Sequence, residues 1–145
     1  RSMIYWFYGQ SGAGKTTLVN ALAEKLYRPY NKVIRIDGDV MRSIFQNKDY
    51  SDEGRRKNLR KVNDIARFLH HNNYTVIISV VAPIREIREE LRDLNPRMIY
   101  VFTNEIRGKE DFFAKDFEIS KDDFSINTDN TNPLKCIDEV LAFYR

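Results

Sequence analysis

Residues 9–16, Gly-Gln-Ser-Gly-Ala-Gly-Lys-Thr, fill every position of the pattern G-x-x-x-x-G-K-[ST], directly after the apolar run Met3–Tyr8. No other stretch of the chain constrains its fold as tightly. A strand feeding a glycine-rich turn, then a helix starting at Thr16-Thr17-Leu18, aims backbone N–H groups and the positive end of a helix dipole at one point. Glycines are needed where a side chain would keep the backbone from wrapping a β-phosphate. Lys15 would reach the β- and γ-phosphates as a point charge, and the Thr16 hydroxyl would sit on Mg²⁺. A chance glycine-rich βα turn is the bland alternative, and the strand before it and the helix after it weigh against that. The pattern points to a nucleoside triphosphate with Mg²⁺, held by Gly9, Ser11, Gly12, Ala13, Gly14, Lys15, Thr16 and Thr17.

Strand-like runs at Met3–Tyr8, Lys32–Ile36, Thr75–Val81, Arg97–Phe102 and Phe124–Asn127 alternate with helical periodicity at Thr16–Leu26, Val40–Gln46, Glu53–His71, Ile84–Leu94 and Pro133–Phe143. This order predicts an α/β fold, a mostly parallel five-stranded sheet with helices on both faces. At 145 residues, 42% of them hydrophobic and 31% charged, the chain reads as one globular domain. Its net charge of +3 is spread among 21 acidic residues, so it forms no basic stripe for nucleic acid. An anionic small molecule accounts for the excess as well. The single cysteine, Cys136, falls in an apolar helical pattern and reads as a packed thiol in a reducing compartment. No run reaches the ~20 apolar residues of a membrane span. Arg1-Ser2-Met3 lacks the shape of a signal peptide, so a cytoplasmic location is expected.

Ligands of such sheets sit at the carboxyl ends of the strands, and each further motif falls there. Ile36-Asp37-Gly38-Asp39 ends the second strand, with Arg42 three residues on. Asp-Gly-Asp alone is an everyday turn; beside a phosphate loop, two carboxylates suit Mg²⁺ and deprotonation of an acceptor hydroxyl. The next long helix carries an apolar stripe at Leu59, Val62, Ile65, Ala66 and Leu69. Extended backwards, the stripe puts Asn58 and Arg55 on the inward face of the first turn, while Arg56, Arg60, Lys61 and Arg67 fall toward solvent. An inward arginine at a helix start opposes the dipole and calls for an anion. Arg85 and Arg88 could clamp phosphates or pair with Glu89 and Asp93, and the sequence leaves both open. His70 and His71 close a helix without metal-ligand companions. Tyr50 is the one aromatic expected in the site.

G-x-S-G-A-G-K-T-T, then D-G-D-x-x-R, then [aromatic]-S-x-x-x-R-x-x-N-x-R, then S-x-x-x-P-x-R, from Ile4 to about Leu91, resemble the adenylylsulfate (APS) kinase family. The resemblance implies a P-loop kinase fold and transfer of the ATP γ-phosphoryl group to the ribose 3′-hydroxyl of a nucleotide carrying a sulfated 5′-phosphate. It makes Asp39 the general base and Lys15 its catalytic partner, with Thr16 and Asp37 toward Mg²⁺. Arg42, Arg55 and Asn58 would bind the acceptor, and Tyr50 takes the place of a phenylalanine that packs on the acceptor base. A homodimer is expected.

The chain departs from the family pattern as well. Ser-Phe-Ile-Ser-Pro-Tyr-Arg is replaced by Ser79-Val80-Val81-Ala82-Pro83-Ile84-Arg85, which removes a hydroxyl and two aromatics from the acceptor wall around Val81. Gly108 is followed by Lys109 where the family has a base-covering phenylalanine. Asn104–Gly108 resembles the segment after the family's basic lid, so a mobile lid is expected near residues 104–105; an intact mass above the 17.2 kDa of these residues would reveal it. Phosphate-handling groups kept beside an altered base pocket resemble the capsule-pathway subgroup that phosphorylates cytidine diphosphoramidate. A true APS kinase of sulfate assimilation, a nucleoside-monophosphate-type kinase sharing only the phosphate loop, and a non-catalytic nucleotide-binding regulator are the alternatives.

Overall fold

The computed structural model describes residues 2–145. Five strands, β1 (Ile4–Tyr8), β2 (Val33–Asp37), β3 (Thr75–Val80), β4 (Arg97–Phe102) and β5 (Phe124–Asn127), form one parallel sheet in the order β2-β3-β1-β4-β5. All five residues of β1 are buried because it is the central strand. Its side chains alternate between two cores, as strand geometry requires. Ile4, Trp6 and Tyr8 face one core, and Tyr5 and Phe7 the other.

The helices are α1 (Lys15–Leu26), α2 (Gly38–Phe45), α3 (Asp52–His71), the single turn α4 (Arg85–Arg88) and α5 (Pro133–Phe143). The α3 stripe of Leu59, Val62 and Ala66 packs on the first core. Leu18 and Leu22 of α1, with Cys136, Ile137 and Val140 of α5, close the second. Cys136 is thus a packed thiol.

One expected element differs. The helix expected over Ile84–Leu94 is a turn of α-helix at Arg85–Arg88 followed by a 3₁₀ turn at Glu89–Leu94. Asn63 Nδ2 on α3 takes the Ile87 carbonyl at 3.0 Å, and Arg88 turns inward to donate to the carbonyls of Ala82 and Glu118 and to Ser120 Oγ. Tertiary hydrogen bonds here displace the regular α ladder. Among the described residues, no helix is long and apolar enough to cross a membrane.

Strand register fixes the functional edge. Tyr8 pairs with Val80 and Tyr100, and Asp37 with Ser79, so the ends of β2, β3 and β1 lie side by side. The loops that follow those strands carry the sequence motifs.

Candidate active site

Gly9 joins β1 to the phosphate loop where a Cβ would stand 2.1 Å from the Val101 carbonyl oxygen, so only glycine fits. The loop ends at Gly14, whose φ of 101° lies in the left-handed region. Side chains cap three helices: Asp37 caps α2, Ser51 caps α3 and Asn132 caps α5. No side chain caps α1. Its first N–H groups are left for an anion, as a phosphate site requires. Lys15 is buried and folds back, its Nζ donating to the carbonyls of Gly9 (2.9 Å) and Gln10 (2.7 Å). Burial lowers its pKa from 10.5 to about 8, against the pull of Asp39 and Asp37. Gly9 and Ala13 shape the loop, whereas Ser11, Gly12, Gly14, Lys15, Thr16 and Thr17 line a cleft of about 570 Å³.

The opposite wall comes from α2 and α3. Asp37 Oδ1 accepts from the N–H groups of Asp39 (2.8 Å) and Val40 (3.2 Å), so the residue expected at Mg²⁺ also caps α2. Among the described residues its second oxygen accepts no hydrogen bond, so it could face a cation. Asp39 lines the cleft one turn before Arg42, as their spacing implied. Arg42 is buried; its Nη1 donates to the Asp49 carbonyl at 2.9 Å, and its guanidinium lies 4.1 Å from the Tyr50 ring centroid. Arg55 flanks the same ring at 5.7 Å, and its pKa is lowered by burial and then by Arg42. Among the described residues, neither arginine is in an ion pair. Two such cations around one aromatic ring could hold an anion. Asn58 is buried beside them, its Nδ2 donating to the Gly38 carbonyl at 3.4 Å and its Oδ1 unpaired. That orphan acceptor fits a ligand hydroxyl. Val81 also lines the cleft.

Other sequence readings divide. Arg56, Arg60 and Arg67 do face outward, but they pair with Asp52 and Glu86, Glu90 and Asp93 respectively. Arg85 pairs with Glu89 at 3.8 Å. Arg88 takes neither of the roles considered for it: it is buried over the Tyr8 ring at 4.1 Å, and Tyr8 donates to Asp123. Lys109 lines the cleft, yet Phe112, three residues later, lines it too. An aromatic ring thus borders the cleft three residues after Lys109. Phe112 also borders, with Tyr50 and Arg55, a neighbouring hollow of about 800 Å³ over Pro83 and Ile84.

Gln10, Arg107, Phe112 and Thr128 carry no role in the sequence reading, and Ser79 enters it only as the first letter of S-x-x-x-P-x-R. Ser79 lines the cleft at the end of β3. Thr128 Oγ1 donates to the Ala13 carbonyl at 2.6 Å, bracing the loop from β5. Among the described residues no group of three or more His, Cys, Asp or Glu side chains could cage a metal. Mg²⁺ needs no such cage, because it binds through one or two carboxylates plus substrate phosphates.

The family model for adenylylsulphate kinase matches residues 1–109. The chain belongs to that family. An adenylyl-sulfate kinase of Picosynechococcus is 38% identical to it over 105 residues, which are 72% of this chain and 59% of that one. One from Chloroflexus aurantiacus is 39% identical over 101 residues, 69% of this chain and 54% of its own. The chain thus spans little more than half the length of these relatives. In three dimensions it resembles the Mycobacterium tuberculosis APS kinase CysC, solved with AMPPNP and APS. That likeness has a TM-score of 0.83 at 18% identity and covers 99% of this chain and 98% of that one. At such identity it concerns the fold, which is that of the P-loop kinases.

Proposed function

We propose that this chain is an ATP-dependent kinase that phosphorylates the ribose 3′-hydroxyl of a nucleotide with an activated 5′-group, adenylyl sulfate being the first acceptor to test. One observation carries this reading: a single cleft opposes the uncapped phosphate loop to Asp39, to the Arg42–Arg55 pair and to the unpaired Asn58 oxygen. The triphosphate would draw Lys15 Nζ off its loop carbonyls onto the β- and γ-phosphates. Thr16 Oγ1 and the free oxygen of Asp37 would hold Mg²⁺, which supplies charge neutralisation of the phosphates. Arg42 and Arg55 would fix the acceptor's 5′-anion and Asn58 its ribose. Asp39 would take the 3′-hydroxyl proton as that oxygen bonds the γ-phosphorus, and the bond to the β-phosphate oxygen breaks to release ADP.

Cytidine diphosphoramidate is the second acceptor to test. In its favour, one neighbour of the Tyr50 ring is already the Arg42 guanidinium, and Lys109 and Val81 stand where family members offer aromatic or bulkier walls. Phe112 argues for adenine. The relative kcat/KM for the two acceptors, with the new phosphate located by ³¹P NMR, decides between them. Transfer to neither, with ATP bound, would make the chain a non-catalytic regulator. Light scattering on the purified protein tests the homodimer.

A further inference from the structure

Between β4 and β5 the chain forms a strap beside the cleft that is tied to the phosphate loop at two points. At the first, Arg107 Nη1 donates to the Gly12 carbonyl (3.3 Å) and to Thr128 Oγ1 (3.1 Å). At the second, Gln10 makes a two-way pair with Ala114: Nε2 donates to its carbonyl and Oε1 accepts from its N–H, both at 2.9 Å. Between the ties, a turn closed by Phe112 N–H on the Lys109 carbonyl (2.9 Å) presents Lys109 and Phe112 to the cleft. The Lys109 stem lies on the loop itself, since a Cβ on Gly12 would meet its Cγ at 2.8 Å. Glu110 and Asp111 follow directly, yet among the described residues Lys109 is in no ion pair.

We propose that Lys109 is a second phosphate-binding lysine that contacts the transferred phosphoryl group, and that Gln10 and Arg107 position it. The proposal rests on the ATP-dependent reading of the cleft. Lys15 approaches the phosphates from inside the loop, whereas Lys109 stands on the outer side of the same loop. The Lys109 Nζ lies 5.9 Å from the Phe112 ring centroid, on the wall of the same cleft, where a cation would stabilise charge on the moving phosphoryl group. The Gln10–Ala114 pair couples the strap to the loop, so the ammonium stays in register with the phosphates it serves.

The test uses nucleotide binding and turnover together. Lys109→Met should weaken Mg·ATP binding roughly tenfold and lower kcat roughly a hundredfold, with Lys109→Arg restoring most of both. Gln10→Leu, which keeps the loop's glycines, should shift both quantities in the same direction. The double variant should be no worse than Lys109→Met alone, a non-additivity that mere loss of stability would not produce. If Lys109→Met leaves ATP affinity and kcat within twofold and raises only the acceptor KM, Lys109 reads the acceptor and the proposal fails. Additive effects in the double variant would remove Gln10 from it. ATP binding is measured without an acceptor, so this arm still decides if the wild-type chain phosphorylates neither acceptor and the proposed reaction is wrong.

Discussion

ATP binding should take up a proton above neutral pH, because Lys15 must regain a charge that burial has weakened. The loop offers its ammonium two carbonyls, and burial sets its pKa at about 8 instead of 10.5. At ~1.4 kcal/mol per pH unit, the buried charge is disfavoured by on the order of 3 kcal/mol. A polyphosphate restores the charged form, so the pKa rises in the complex. With a free-state value near 8, uptake should be roughly 0.1 proton per ATP at pH 7, 0.5 at pH 8 and 0.9 at pH 9. ATP affinity should be flat below about pH 7 and then fall up to about tenfold per unit above pH 8. At pH 8 and 9 the terminal phosphate, whose second pKa is about 6, is already ionised, so the proton taken up there enters the protein. Calorimetric titrations in buffers of different ionisation enthalpy measure it directly. Stability follows the same linkage. The folded chain binds fewer protons than the unfolded one between about pH 8 and 10.5, so charged Lys15 costs stability below that window, and the cost is relieved as pH rises through it. Buffer-independent binding enthalpies at pH 8 and 9 would refute the reasoning.

Asp39→Asn should cut turnover by about 10³-fold, within the range for a lost general base, while ATP affinity stays within about twofold; a variant with most of its activity would end the general-base role. Gly9→Ala places a methyl 2.1 Å from the Val101 carbonyl in the middle of the sheet and should cost more than about 3 kcal/mol in urea unfolding; near-native stability would show that the strand can yield. Arg88→Met strips the Ala82 and Glu118 carbonyls and Ser120 of their donor and should lower stability by roughly 2–4 kcal/mol, with ATP affinity measured on the folded fraction unchanged.

Much of this arrangement was legible because periodicity reports burial. The continuous apolar run of β1 reads as a strand covered on both faces, and all five of its residues are buried. The α3 stripe, continued backwards, places Asn58 and Arg55 inward, and both line the cleft. Periodicity says nothing about which partner a polar side chain chooses. Arg88 could have clamped a phosphate or paired on its own helix; instead it crosses to backbone carbonyls at Ala82 and Glu118. The braces of the phosphate loop are likewise long-range: Gln10 to Ala114, Arg107 to Gly12 and Thr128 to Ala13 span 104, 95 and 115 residues. No local pattern encodes such pairs. Phe112 was missed for a related reason. Matching Lys109 to a family phenylalanine assumed that one sequence position fixes one place in space, and a 3₁₀ turn at Glu110–Phe112 brings the ring back to the cleft.

Asp37 joins two duties that one substitution can separate. Its Oδ1 caps α2 by accepting from Asp39 and Val40, and the first of those bonds, at 2.8 Å, fixes the backbone that carries the proposed base. Its other oxygen supplies the charge expected at Mg²⁺. Asparagine keeps an oxygen for the cap and removes the charge, whereas alanine removes both. Asp37→Asn should therefore melt like the wild type, while Asp37→Ala loses about 1 kcal/mol, the usual cost of an N-cap. Both should raise the Mg²⁺ concentration for half-maximal turnover, by roughly tenfold for one lost carboxylate contact. Alanine should in addition lower kcat at saturating Mg²⁺, because Asp39 is no longer held. An Asn variant as unstable as the Ala variant would sink the capping argument. An unchanged Mg²⁺ requirement in both would take Asp37 out of the metal site and leave it only the positioning of Asp39.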